Sequence, residues 1–199
     1  MAQVRTYIGL GANVGDAEDT LAAAIHSLEA LPGATLRGIS RLYATAPVGL
    51  PDQPEFRNGV AAVDLPAGPD PETGAVALLI ALKGLERAFG RRRRRRWGPR
   101  ELDLDLLAFG DARITVERPP EGVSLAATQP EGVSLLVVPH PEASQRLFVL
   151  APWADLAPDL VPPGWSETVD EAQTRRRRIE GPGAVRPVAR WHEGAWQPT

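Results

Sequence analysis

RRRRRRWGPRELDLDLLAFG, residues 91–110, sets six consecutive arginines beside a segment with two aspartates two positions apart. The alternation in ELDLDLLAF predicts a β-strand over 101–109. Side chains alternate across a strand, so Glu101, Asp103, Asp105, Leu107 and Phe109 share one face; Leu102, Leu104, Leu106 and Ala108 share the other. The second set is apolar throughout and is expected to face helices. The first set puts two carboxylates side by side, their α-carbons about 7 Å apart at roughly 3.3 Å per residue. Acids in an otherwise apolar strand are costly unless their charge is compensated. A polyanion gripped by the arginines, with hard cations on the acids, would compensate both; a solvated sheet face is the plainer alternative.

Outward from this strand, the pattern alternates in kind. VRTYIGL (4–10) reads as a strand, and Asp16 is a helix N-cap for an apolar stripe of Leu21, Ala24, Ile25, Leu28 and Leu31. TLRGISRLYA (35–44) and RNGVAAVDL (57–65) read as strands, separated by a rigid proline-rich loop. Asp70 and Pro71 open a second helix whose apolar face runs through Leu78, Leu82, Leu85 and Phe89, with Gly90 as its C-terminal stop. GDAR is expected to turn ELDLDLLAF into a partner strand, ITVE. The order β-α-β-β-α-β is the split βαβ pattern of a ferredoxin-like plait, so the fold class is α+β: an antiparallel sheet with two helices on one face. Residues 1–165 are expected to form this domain. Residues 166–199, polar, arginine-rich and punctuated by Gly and Pro, read as a partly ordered C-terminal extension, helical near 167–178. PEGVSL occurs at 120–125 and again at 130–135, a local duplication too short for a repeat architecture.

Composition narrows the function. The 199 residues are 43% hydrophobic and 24% charged, which suits a soluble domain with a real core. Net charge is −3, so the arginines are local clusters rather than a basic surface, favouring a discrete anionic ligand over a nucleic-acid track. With no cysteine, thiolate metal sites, disulfides and cysteine nucleophiles are excluded. The N-terminal segment shows no charged leader with a long apolar run, and no stretch approaches the roughly 20 apolar residues of a spanning helix. The expectation is a cytoplasmic monomer with small-molecule substrates and neither nucleic-acid nor membrane partners.

Several residues could carry chemistry. Asp-x-Asp supplies the partial oxygen shell that magnesium prefers, the rest coming from water and phosphate. Guanidinium forks pair with phosphate oxygens, and Gly98-Pro99 turns Arg100 toward the aspartate strand while Trp97 offers a flat apolar surface. His140 stands between two prolines, with Arg146 six residues on. Phe56 and Phe148 could sandwich a flat heterocycle while Asn58 reads its edge, although aromatics near loops are more often core plugs. GANVG (11–15) lacks the lysine and spacing of a phosphate-binding loop.

RWGPRELDLDLLAFG closely resembles the 6-hydroxymethyl-7,8-dihydropterin pyrophosphokinases of folate biosynthesis, as do IGLGANVGD, YATAPVGLPDQPEFRNGV, GLERAFGR and PHPEASQRLFVLAPW in the same order. The resemblance covers about residues 4–165. It implies a ferredoxin-like plait and an enzyme that moves a pyrophosphoryl group from MgATP to the pterin hydroxymethyl oxygen, releasing AMP. It implies that Asp103 and Asp105 hold two Mg2+ ions and that Arg91 and Arg93 act from a loop. Glu86, Trp97, Arg100, His140 and Arg146 would serve ATP. Phe56 and Phe148 would clasp the pterin, Asn58 would bond to it, and the backbone of Thr45, Pro47 and Val48 would line its pocket. The duplicated PEGVSL and the tail after 165 depart from the family pattern. The rivals are an RNA-binding plait, which would need exposed aromatics where the aspartates stand, and a plait domain that binds no metal. A nucleotidyltransferase using the same acid pair would release pyrophosphate rather than AMP.

Overall fold

The computed structural model describes residues 2–47, 52–91, 98–118 and 134–199. Its main sheet contains β1 (Gln3–Ala12), β2 (Thr35–Ile39), β3 (Leu42–Thr45), β4 (Phe56–Pro66), β5 (Asp103–Phe109), β8 (Val185–His192) and β9 (Ala195–Pro198). The strand order is β5-β1-β4-β3-β8-β9, with β2 also on β4, and every pairing is antiparallel. Helices α1 (Ala17–Glu29) and α2 (Pro71–Ala88) begin where the sequence predicts. Asp16 accepts a hydrogen bond from the Asp19 N–H, Asp70 accepts one from the Thr73 N–H, and Pro71 occupies the first turn. Both helices pack on the face formed by Ile8, Leu10, Ala61, Val63, Leu104 and Leu106. The α+β plait inferred from the sequence is therefore the observed fold.

Four details differ from the sequence reading. The strand expected over 35–44 is two short strands, because Ser40 and Arg41 interrupt it. Ser40 nevertheless stays on β4, its Oγ accepting from Val60 N at 2.9 Å, while Arg41 N donates to Asp155 at 3.0 Å. The alternation of β5 also breaks. Tyr7 faces Ala108 and Ile8 faces Leu106, so Leu107 is an extra residue in a β-bulge. Beyond it the faces exchange: Ala108 joins Leu107 in one cluster and Phe109 turns to the α1–α2 side. ITVE does not pair with β5; as β6 (Ile114–Val116) it pairs with β7 (Leu136–Val138) in a separate two-stranded sheet.

The fourth difference is a third layer. The sheet's other face is covered by α3 (Leu147–Ala154) and α4 (Val169–Glu180), around Val60, Leu107, Leu150 and the fully buried Trp153. Trp153 lies between Tyr7, at a tilt of 47°, and Trp165, edge-on at 74°, with 5.7 Å between ring centroids in each case. The expected helix near 167–178 is α4, closed by a capping box from Thr168 and Glu171. After it the chain is not loose, because β3 offers a free edge that β8 fills. The β8–β9 hairpin turns at Glu193 and Gly194, with φ of 49° and 81°, the positive pair that a type I′ turn requires.

Candidate active site

Register builds the floor of a cleft at one end of the sheet. Gly11 of β1 lies opposite Asp103 on one side and Asn58 on the other, and Asn58 lies opposite Tyr43. Gly9, two residues earlier, lies opposite Asp105 and Val60. Glycines on the strand between them leave the space in front of the two aspartates open. A Cβ on Gly11 would stand 3.4 Å from Asn58 Oδ1, and one on Gly9 3.4 Å from the Leu107 side chain. The cleft is lined by Gly11, Thr45, Phe56, Asn58, Gly98, Arg100, Asp103, Asp105, Arg146 and Phe148, with Ala46 also on its surface. An adjoining recess shares the two aspartates, Arg146 and Phe148 and adds His140.

The acids are held by cations. Arg91 Nη1 lies 2.7 Å from Asp103 Oδ1 and also contacts Glu86, while Arg100 donates to Asp103 Oδ2. Burial works against the Arg91 charge, but Asp103 and Glu86 outweigh it and raise its pKa. Lys83 Nζ lies 4.0 Å from Asp105 Oδ1. Glu86 is buried behind β5 rather than in the cleft wall: it accepts from Leu104 N and from Lys83, each at 2.8 Å. Lys83 in turn donates to Leu104 O at 3.1 Å.

On the opposite wall, Asn58 of β4 donates to Thr45 Oγ1 of β3 at 2.9 Å, which fixes its amide. Arg146 sits 5.9 Å over the Phe148 ring. His140 is anchored by its own N–H to Leu107 O at 3.0 Å. Burial pushes its imidazole below the ordinary value; Asp105 opposes this and Arg146 reinforces it. Pro47 follows β3 at the edge of this wall. Val48, Arg93 and Trp97 lie outside the described residues, as does most of the duplicated PEGVSL.

Four contributors escaped the sequence reading. Gly9 and Gly11 had a signal, glycines two apart in a strand and so on one face. Lys83 had one too, three residues before Glu86 on α2. Asn13, in GANVG, had none. Nearly fully buried, it accepts from Arg100 N at 2.8 Å and donates to Pro54 O at 3.1 Å, tying the Gly-Pro turn to the proline-rich loop. Among the described residues no group of three or more His, Cys, Asp or Glu forms a metal cage. The acid pair is thus an open, two-carboxylate site. Asp103 Oδ1 is buried without an aligned hydrogen bond, an oxygen whose charge suits a hard cation.

These features define a class: an antiparallel α+β plait with a small-ligand cleft at one end of its sheet. Within that class, the chain belongs to the 7,8-dihydro-6-hydroxymethylpterin-pyrophosphokinase family, whose model matches residues 7–158. It is 41% identical over 156 residues to the 2-amino-4-hydroxy-6-hydroxymethyldihydropteridine pyrophosphokinase of Pseudomonas aeruginosa, covering 78% of this chain and 82% of that protein. The Methylorubrum extorquens protein of the same name is 40% identical over 168 residues, covering 84% and 90%. Among solved structures, Plasmodium falciparum HPPK-DHPS with pteroate superposes with a TM-score of 0.73 at 14% identity. That match takes in 99% of this chain and 48% of the other, so the chain spans about half of it, and the likeness concerns the fold. Among the described residues no helix is long and apolar enough to cross a membrane.

Proposed function

We propose that the chain transfers the terminal diphosphate of ATP to 6-hydroxymethyl-7,8-dihydropterin, a step of folate biosynthesis. The hydroxymethyl oxygen bonds to the β-phosphorus and loses its proton to solvent, the bond from that phosphorus to the α–β bridging oxygen breaks, and AMP leaves with that oxygen. The observation that carries the reading is one cleft with two kinds of wall: the Asp103–Asp105 pair ringed by Arg91, Arg100 and Arg146, and the Phe56–Phe148 pair flanking Asn58. The first suits phosphate and the second a flat heterocycle. Family membership selects the reaction from what such a cleft could do.

In this reading Asp103 and Asp105 hold Mg2+, which when bound neutralises charge on the phosphate oxygens. Arg91 and Arg100, paired with Asp103 in the structure, then turn their donors to phosphate, and Arg146 and His140 meet the chain of phosphates from the α3 side. Arg93 and Trp97, carried over from the family resemblance, would also serve the nucleotide, and Glu86 holds Arg91 at the end of α2. Phe56 and Phe148 clasp the pterin, Asn58 bonds to its edge, and the backbone of Thr45, Pro47 and Val48 closes the pocket. Guanidiniums fixed beforehand where negative charge grows lower the barrier without reorganising at the moment of reaction. Holding two substrates in line removes an entropy cost on the order of 7–11 kcal/mol in favourable cases.

The test is product identity. Purified protein with MgATP and the dihydropterin should release AMP, and Asp103→Asn or Asp105→Asn should lower kcat by at least about 100-fold with the fold intact. Calorimetry with a non-hydrolysable ATP analogue should show magnesium-dependent binding that these variants lose. Pyrophosphate in place of AMP would make the chain a nucleotidyltransferase, and full activity of either variant would remove the acids from the site.

A further inference from the structure

The segment after the family match ends, residues 159–199, does not stand apart from the cleft. Its strand β8 pairs with β3 so that Val185 lies opposite Thr45 and Arg186 opposite Ala44. Val185 is 4% exposed and forms a cluster with Tyr43, Leu147 and Ala151, against which Phe148 packs. Arg186 donates to Glu55, the residue before Phe56, at 2.7 Å. At the end of α4, Glu180 accepts a long hydrogen bond of 3.4 Å from Leu147 N, immediately before Phe148, and is itself held by Arg176 at 2.6 Å. Each element that brings a ring or hydroxyl to the heterocycle wall is therefore braced from behind by the tail.

We infer that Glu180, Val185 and Arg186 are positioning residues that set the spacing of the Phe56–Phe148 clasp, making the C-terminal segment the back wall of the heterocycle subsite. The inference rests on the reading of that ring pair as the pterin site. The physical basis is rigidity: two rings gain stacking energy only if a flat ligand fits the gap between them, and Phe148 sits at the first turn of α3, where an unsupported side chain could swing. Val185 and Arg186 meet the ring-bearing wall, whereas the tail meets the His140–Arg146 segment through Arg175, which donates to Ser144 O at 3.0 Å, so the effect of changing Val185 or Arg186 should fall on one substrate.

The experiment is steady-state kinetics on the full chain, with Val185→Ala, Arg186→Glu, the exchange pair Glu55→Arg/Arg186→Glu, and Phe148→Ala beside them. Val185→Ala and Arg186→Glu should raise the KM for 6-hydroxymethyl-7,8-dihydropterin roughly two- to tenfold while the KM for ATP stays within about twofold. The exchange pair should return it to near the parental value, showing that the Arg186–Glu55 ion pair carries the effect, while the rise confined to one KM is what a merely structural role would not give. Equal rises in both KM values, or no rise in either variant, would overturn the inference. Phe148→Ala separates the two levels: if it leaves the pterin KM unchanged, the clasp reading itself fails. If it raises that KM while Val185→Ala and Arg186→Glu do not, only the role of the tail fails.

Discussion

Replacing Glu86 tests how β5 is held. Among the described residues, β5 is an outer strand with β1 on one side and no strand on the other. Its outward Leu104 N–H is instead satisfied by Glu86 Oε1 at 2.8 Å, inside the protein. Glu86→Ala leaves that N–H unpaired, at about 1–3 kcal/mol. It also removes one partner each from Lys83 and Arg91, whose side chains are 37% and 29% exposed and which keep Leu104 O and Asp103. Their exposure lets water replace much of the lost partner, so each adds at most about 1 kcal/mol. The sum is about 1–5 kcal/mol, or a fall in Tm of roughly 2–20 °C for a chain of this size. Glu86→Gln retains an acceptor oxygen for Leu104 and Lys83 and loses only the charge, so it should cost about 1 kcal/mol. Urea unfolding followed by fluorescence gives both values, and amide exchange at Leu104 should accelerate in the Ala variant ahead of its strand neighbours. Equal effects of Ala and Gln, or an Ala variant within about 0.5 kcal/mol of the parent, would refute the account.

Two glycines of α2 should respond oppositely to alanine in the same assay. A Cβ on Gly74 would stand 2.2 Å from Ala67 O and 2.9 Å from Phe109 Cζ, so Gly74→Ala should destabilise by about 2–4 kcal/mol. Gly84 has nothing within 4 Å, and Gly84→Ala should stabilise by about 0.5–1 kcal/mol through helix propensity. Asp64 gives a pH dependence: the hydrogen bond from Arg5, helped by Arg37, holds its carboxyl below the usual range despite desolvation. Its contribution is full above the ordinary carboxylate pKa of about 3.9 and is lost as pH falls through the lower folded value. Asp64→Asn should therefore be less stable than the parent at neutral pH, with the gap closing in acid; a gap constant across the titration would contradict this.

How much of this was legible depended on whether a feature is local. Caps at Asp16 and Asp70, the helical stripes and the two-residue spacing of Asp103 and Asp105 involve neighbours in sequence, and each lies where the pattern puts it. The bulge at Leu107 was not legible, because an apolar run of Leu-Leu-Ala-Phe reads equally well in either register. The second helical layer was missed because α3 is apolar on every side, so periodicity shows no face to place. The β8–β9 hairpin was hidden by composition: Arg and Pro at exposed positions masked Val185 and Ala189, the residues that face inward. In the cleft, the motif-borne acids and arginines could be found by spacing, whereas Asn13 acts through loops 40 and 87 residues away and nothing near it in sequence announces them.

The position of the acid pair on an outer strand has its own logic. A central strand would have neighbours on both sides, and two adjacent carboxylates would have to share space with side chains from each. Among the described residues only β1 pairs with β5, and β1 contributes glycines opposite both aspartates. The remaining difficulty of an outer strand is its unpaired backbone edge, which invites pairing with other chains. Here α2 covers that edge with Glu86 on Leu104 N and Lys83 on Leu104 O. The same two side chains reach the acids' surroundings, Lys83 toward Asp105 and Glu86 onto Arg91. Sealing the sheet and setting the charge of the cleft are thus one arrangement. A substitution in α2 made for stability alone would be read out in the cleft as well.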